Sequence, residues 1–101
     1  MPHERAPALR RPVGVGRRPL HPGQFLESRF LTPMALSQDA LARALGISRR
    51  RVNELVNGRR GLTPDTALRL ARYFGTGPEL WLQLQAAWDL HRARLEYQRL
   101  P

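Results

Sequence analysis

A chain of 101 residues, 42% of them hydrophobic, has room for a single domain around one core. Its seventeen basic residues, every one an arginine, outnumber eight acidic ones and leave a formal charge of +9, which favours polyanionic partners such as DNA, RNA or an anionic membrane. The lack of cysteine excludes disulfides and thiolate zinc sites, and no apolar run approaches the roughly 18 residues that suggest a membrane span.

Residues 1–20 are rich in proline, glycine and arginine and have almost no periodic apolar residues, which is the composition of a flexible basic arm. Three uses are open to such an arm: a solvated tail, a minor-groove or phosphate-tracking strand, or a segment ordered by a protein partner. It lacks the apolar central block of a secretory signal, so the expected location is the cytoplasm.

Helical spacing begins at Pro22, a residue suited to a first turn. Phe25, Leu26 and Phe30 form its apolar stripe, and the helix is expected to end before Pro33. A second helix follows the cap Ser37 and turns Leu41, Ala42 and Leu45 inward, until Gly46 stops it. Ser48 caps a short third helix with Val52, Leu55 and Val56 on its inner side, closed by Asn57-Gly58. Thr63-Pro64-Asp65 supplies a cap, a first-turn proline and an acid at the positive helix end, so a fourth helix runs to about Phe74, burying Ala67, Leu70, Ala71 and Phe74. After Gly75-Thr76-Gly77 a long last helix starts near Pro78 and carries Trp81, Leu84, Trp88, His91 and Leu95 at three- and four-residue steps. No strand pattern is present in the sequence. The expected class is all-α, with five helices in residues 21–98 behind the arm at 1–20.

The segment from Leu36 to Gly58 holds two short capped helices around a tight turn. Ala42 is small enough for a close crossing and Ile47 plugs the turn, which is the pattern of a helix-turn-helix. Placed at about 100° per residue, Val52, Leu55 and Val56 gather on one side of the third helix, with Arg50, Asn53, Glu54 and Asn57 opposite. Inserted helices read bases from their N-terminal part, and arginine on guanine is the commonest specific contact. Arg49, Arg50 and Asn53 are therefore the candidate base readers. Gln38, Arg51, Asn57, Arg59 and Arg60 are the candidates for phosphate contacts, Gln38 because the free N–H groups of a helix start favour an anion. A solvated basic helix face would look the same residue by residue; the combination of caps, small residue, turn glycine and inner stripe is what carries the reading.

The run S-Q-x-x-L-A-x-x-L-G-I-S-x-x-x-V-N-x-L-x-N-G resembles XRE/Cro-family repressors. A wider match takes in His21-Pro22-Gly23, the stretch from Asn57 to Ala71, and Gly75-Thr76-x-Pro78-Glu79-x-Trp81-Leu82. Over about residues 20–95 it resembles HigA-type antitoxins. That resemblance implies a lambda-repressor-like five-helix domain that binds palindromic operator DNA as a homodimer and represses its own operon. It also implies neutralisation of a co-encoded RelE/HigB-like mRNA-cleaving toxin; because this chain and such a toxin are both basic, the contacts would need apolar surface or local acids such as Glu27 and Glu79. Arg50 stands where this type of antitoxin often has glutamine, which implies a different operator base, and Gly77 replaces a frequent capping serine. The alternative is a stand-alone XRE-family repressor without a toxin.

The stripe on the last helix can be core or dimer interface. Trp81 and Leu84 are expected in the core, and Trp88, His91 and Leu95 at a dimer contact, since aromatic residues are enriched at interface centres. His3, His21 and His91 show no paired ligand spacing, so no metal is expected. No nucleophile–base pair or phosphate loop stands out, so neither enzyme activity nor a cofactor nor a small-molecule ligand is expected. A basic RNase toxin would need a strand-rich core with clustered catalytic groups, which this sequence lacks.

Overall fold

The computed structural model describes residues 18–101. Residues 1–17, most of the expected arm, lie outside the described residues. Five helices follow one another, and no strand occurs among the described residues. Helix α1 is composite, running as Pro22–Leu26, Glu27–Leu31 and Thr32–Met34, and is followed by α2 (Gln38–Leu45), α3 (Arg49–Val56), α4 (Pro64–Phe74) and α5 (Pro78–Gln98).

Three of the five starts are capped as their sequences require. The hydroxyls of Ser37, Ser48 and Thr63 accept the amides of Ala40, Arg51 and Thr66, each satisfying a donor that a helix start leaves open. His21 caps α1, its Nδ1 accepting the Gly23 amide at 2.9 Å. That nitrogen must be unprotonated to accept, and burial holds the imidazole below its ordinary pKa, with Asp89 pulling the other way. Gly77 leads α5 with no side-chain cap bond. Gly46 and Gly75 end α2 and α4 in the left-handed region, where glycine carries no Cβ penalty.

Helix α1 does not end before Pro33. It continues to Met34 by widening to π-helical geometry over Glu27–Leu31, where the Thr32 amide reaches back five residues to the Glu27 carbonyl. In an α-helix residues five apart lie about 140° apart. The wider turn instead lets both Leu26 and Leu31 face the core, and it sets the Phe25 and Phe30 rings 6.1 Å apart. In a regular helix the Pro33 ring would also collide with the carbonyl four residues back, that of Arg29, which here lies within the widened stretch. The helix closes on Ala35, a left-handed non-glycine residue, with the Leu36 amide bonded to the Leu31 carbonyl.

The core unites all five helices through Leu26, Leu31, Leu41, Leu45, Val52, Leu55, Leu70 and Trp81. Trp81 is fully buried, with Phe25 edge-on at 5.6 Å and its indole N–H donated to the Thr76 hydroxyl at 2.8 Å. Gln85 fastens α5 to the loop before α4 by accepting the Leu62 amide at 2.7 Å. Leu84 is half-buried against this core.

Gly23 fixes where α3 lies. A Cβ at this position would overlap the carbonyl of Leu55, so α1 and α3 approach backbone to backbone. Gly23→Ala is expected to reduce unfolding free energy by about 2–3 kcal/mol, because the two helices must separate. Urea denaturation measures this; a loss below about 0.5 kcal/mol would show that the close approach is dispensable.

Candidate nucleic-acid interface

An eight-residue helix with three arginines, an asparagine and a glutamate cannot persist in water by itself. Helix α3 is held by Val52 and Leu55, both buried, with Val56 half-buried beside them. The Gly46-Ile47-Ser48 turn crosses it over α2, and the Ile47 amide bonds back to the Ala42 carbonyl at 3.1 Å. Among the described residues, nothing covers Arg49, Arg50 and Asn53 on the opposite side of α3.

The three consecutive arginines divide by direction. Arg49 is exposed and makes no ion pair among the described residues. Arg50 is 85% exposed and donates its Nε–H to Glu54 at 2.9 Å. Arg51 turns the other way. Its Nη2 meets Asp65 at 2.8 Å and the hydroxyl of buried Thr66 at 2.6 Å, both on α4. Of the residues expected at phosphates, Arg51 is thus already engaged inside the fold.

The remaining candidates lie along the open side of α3 and just past its end. Asn53 donates to the Gln38 side-chain oxygen at 3.0 Å, joining the middle of α3 to the start of α2. Asn57 donates to the Asn53 carbonyl at 3.0 Å. Arg59 is exposed and unpaired among the described residues, while Arg60 donates Nε–H and Nη2–H to Glu54 at 3.0 and 2.7 Å. The structure therefore joins Gln38 to Asn53, and Arg50 to Arg60 through Glu54, and leaves Arg49, Asn57 and Arg59 exposed on α3 or just past its end.

Two acids organise this surface: Glu54, which the sequence places only on the outer face of α3, and Asp65, expected there only as the acid at the start of α4. Glu54 accepts from Arg60 and Arg50, and these hydrogen bonds hold its carboxyl below the usual range. Asp65 accepts from Arg51 and from Arg69 Nε, the latter at 3.0 Å, with the same effect on its carboxyl. Arg69 also donates Nη1–H to the Leu45 carbonyl at 2.7 Å, a cation at the negative end of α2. Helix α4 thereby ties down both members of the helix-turn-helix. The four-residue spacings Arg50/Glu54 and Asp65/Arg69 were visible signals for these pairs.

The residues expected at a dimer contact lie on α5. Trp88 is half-buried, its ring edge-on to His21 at 5.3 Å, with His91 6.0 Å beyond. Leu90, Leu95 and Tyr97 are 50%, 45% and 75% exposed, so the last turns of α5 carry apolar surface that the described residues leave uncovered. Among the described residues no His, Asp or Glu side chains cluster as metal ligands would, and no helix is long and apolar enough to cross a membrane.

Residues 29–81 match the family model described as Helix-turn-helix. The chain is 48% identical over 90 residues to Virulence-associated protein I of Dichelobacter nodosus, covering 88% of this chain and 83% of that protein. It is 44% identical over 82 residues to Antitoxin HigA-1 of Vibrio cholerae, covering 81% and 77% respectively. Among solved structures it resembles the Pseudomonas aeruginosa antitoxin HigA with the higBA promoter, at a TM-score of 0.78 and 41% identity over 81% of this chain and 89% of that one.

The opposite directions of Arg49 and Arg51 give different expectations for stability. Arg51→Ala should lower it by about 1 kcal/mol or more through the lost hydrogen bond to the buried Thr66 hydroxyl. Arg49→Ala should stay within about 0.5 kcal/mol of the parent. Equal urea midpoints for the two variants would contradict the inward placement of Arg51.

Proposed function

This chain belongs to the helix-turn-helix family, and within it to the XRE/Cro proteins of the HigA type; from that premise we propose that it is an antitoxin that binds its operator DNA as a homodimer and represses its own operon. The observation that carries the reading is the split in α3. Its aliphatic side is locked into the core, and Arg49 and Arg50 at its N-terminal end are open to a duplex. A helix so held can enter the major groove without rearranging the bundle.

Arg49, Arg50 and Asn53 then meet base edges, Arg50 with its two terminal nitrogens suited to the O6/N7 pair of guanine. Gln38, Asn57, Arg59 and Arg60 line the flanking phosphates, and their role is register and affinity more than sequence. Residues 21–98 act as the DNA-binding and dimerisation unit, and residues 1–20 as a basic arm. Trp88, His91 and Leu95 supply the dimer contact, with the exposed Leu90 and Tyr97 nearby on the same helix. Two copies with α3 helices about 34 Å apart read successive major grooves of a palindrome.

The toxin partner follows from the HigA type. We assign it to a co-encoded RelE/HigB-like mRNA endonuclease, itself basic, so that its contacts on this chain use apolar surface or acids such as Glu27 and Glu79. Co-expression with the neighbouring reading frame's product, purification of the pair, and binding of the complex to upstream DNA test both halves. Recovery of the chain alone, with operator binding intact, would leave a stand-alone repressor.

Three variants separate the roles. Arg49→Ala combined with Arg50→Ala should abolish operator preference while the far-UV helical signal stays intact; a double variant that still selects the same operator refutes the base-reading assignment. Arg59→Ala should weaken binding to all sequences alike and reduce the salt slope by about one unit, as loss of one phosphate contact does. Leu95→Glu should convert dimer to monomer in light scattering and cost operator affinity about tenfold or more, since a half-site loses the linked second contact. An unchanged dimer would remove Leu95 from the interface.

A further inference from the structure

Helix α3 carries one acid, Glu54, on a surface otherwise suited to a polyanion. A carboxylate facing phosphates opposes binding, so its position calls for a physical reason. Its side chain is only 22% exposed, and both of its oxygens are occupied. One accepts Arg50 Nε–H at 2.9 Å, and the other accepts Nε–H and Nη2–H of Arg60 at 3.0 and 2.7 Å. Glu54 thus joins a residue in the first turn of α3 to one beyond its end. Arg49 and Arg59 stay outside this network among the described residues.

The tether falls on Nε of Arg50, which leaves both terminal nitrogens at the tip of a largely exposed side chain. Those two nitrogens form the fork that matches guanine O6 and N7. An unrestrained arginine samples many rotamers and reaches a phosphate from most of them. One fixed at Nε keeps its fork near one direction, ready for a base edge and ill placed to wander to the backbone. The carboxylate also leaves the Arg50–Glu54–Arg60 cluster with one net positive charge in place of two. That reduces the sequence-independent attraction to DNA, which scales with the number of phosphates neutralised.

We propose that Glu54 is a specificity-positioning residue, its carboxylate aiming Arg50 at a base edge and holding back binding to DNA that lacks the site. This rests on the reading of α3 as the DNA reader. The two effects are separable, because one needs the reach of the side chain and the other only its charge.

The test uses the full chain and fluorescence anisotropy on three duplexes: the upstream operator, a set of single-base-pair operator variants, and random sequence. Glu54→Gln should bind random DNA more tightly by roughly tenfold at low salt, with a salt slope steeper by about one unit. Its operator-to-random ratio should fall by about tenfold, with the loss concentrated at the base pair whose discrimination Arg50→Ala also removes. In an Arg50→Ala background the same Glu54→Gln change should alter discrimination at that base pair no further. Glu54→Asp, which keeps the charge but shortens the reach, should retain weak random binding and still lose discrimination there. An unchanged ratio in Glu54→Gln, or a uniform fall in all binding that tracks a lowered melting temperature, would overturn the proposal. A parent protein with no operator preference would instead overturn the DNA-reading assignment on which it stands.

Discussion

Two buried side chains, Val52 and Leu55, hold the whole candidate interface in place. Helix α3 is two turns long, too short to form without tertiary support, and most of its residues are polar. Its helicity is therefore a property of the core and not of its own sequence. The Gly23 contact with the Leu55 carbonyl sets its distance from α1, and the Gly46 turn sets its crossing over α2. With the inner side committed, the outer side has no packing task. It is free to carry charge at a density that a self-supporting helix would not tolerate.

Polar contacts then divide labour among chemically identical side chains. Arg51 is spent on Asp65 and Thr66, which are positioned by the start of α4. Arg69, one turn further along α4, holds the end of α2. The Arg51–Asp65 ion pair is weak by itself, since screening and side-chain entropy consume most of the gain, and the hydrogen bonds to Thr66 and to the Leu45 carbonyl add modestly to it. Their value is geometric. They keep α2 and α3 at a fixed angle while Arg49 and Arg50 stay presented. At the far end, His21 packs edge-on against Trp88 of α5, and its ring lies where a Cβ added at Gly58, past the end of α3, would just reach it, so α5 packs beside the exit of α3.

Much of this was legible in the residues because the relevant physics is local. A serine or threonine that caps, a glycine that must turn left-handed, and an apolar step of three or four residues are each set within a few positions. They located α2 to α5 and the helix-turn-helix. The π-helical stretch of α1 was not legible. It resolves a conflict between Pro33 and the need to bury Leu26 with Leu31, and that need comes from the rest of the core. Wheel placement puts Arg51 in neither the inner nor the outer group of α3 and could not say that Asp65, fourteen residues away, would draw it inward. Glu54 was seen on the outer face, yet its double engagement depends on where the chain carries Arg60 after the helix has ended. Side-chain direction at a flank is decided by partners distant in sequence, and the helical period does not contain them.

Chemical interference on the operator addresses the groove directly. Dimethyl sulfate methylates guanine N7 in the major groove and adenine N3 in the minor groove, and partially methylated duplexes can be sorted into bound and free. A dimer reading through α3 should exclude DNA methylated at guanine N7 in two clusters about one helical turn, or 10 base pairs, apart. Interference confined to adenine N3, or spread without clusters along the duplex, would place the protein outside the major groove and contradict the role assigned to α3.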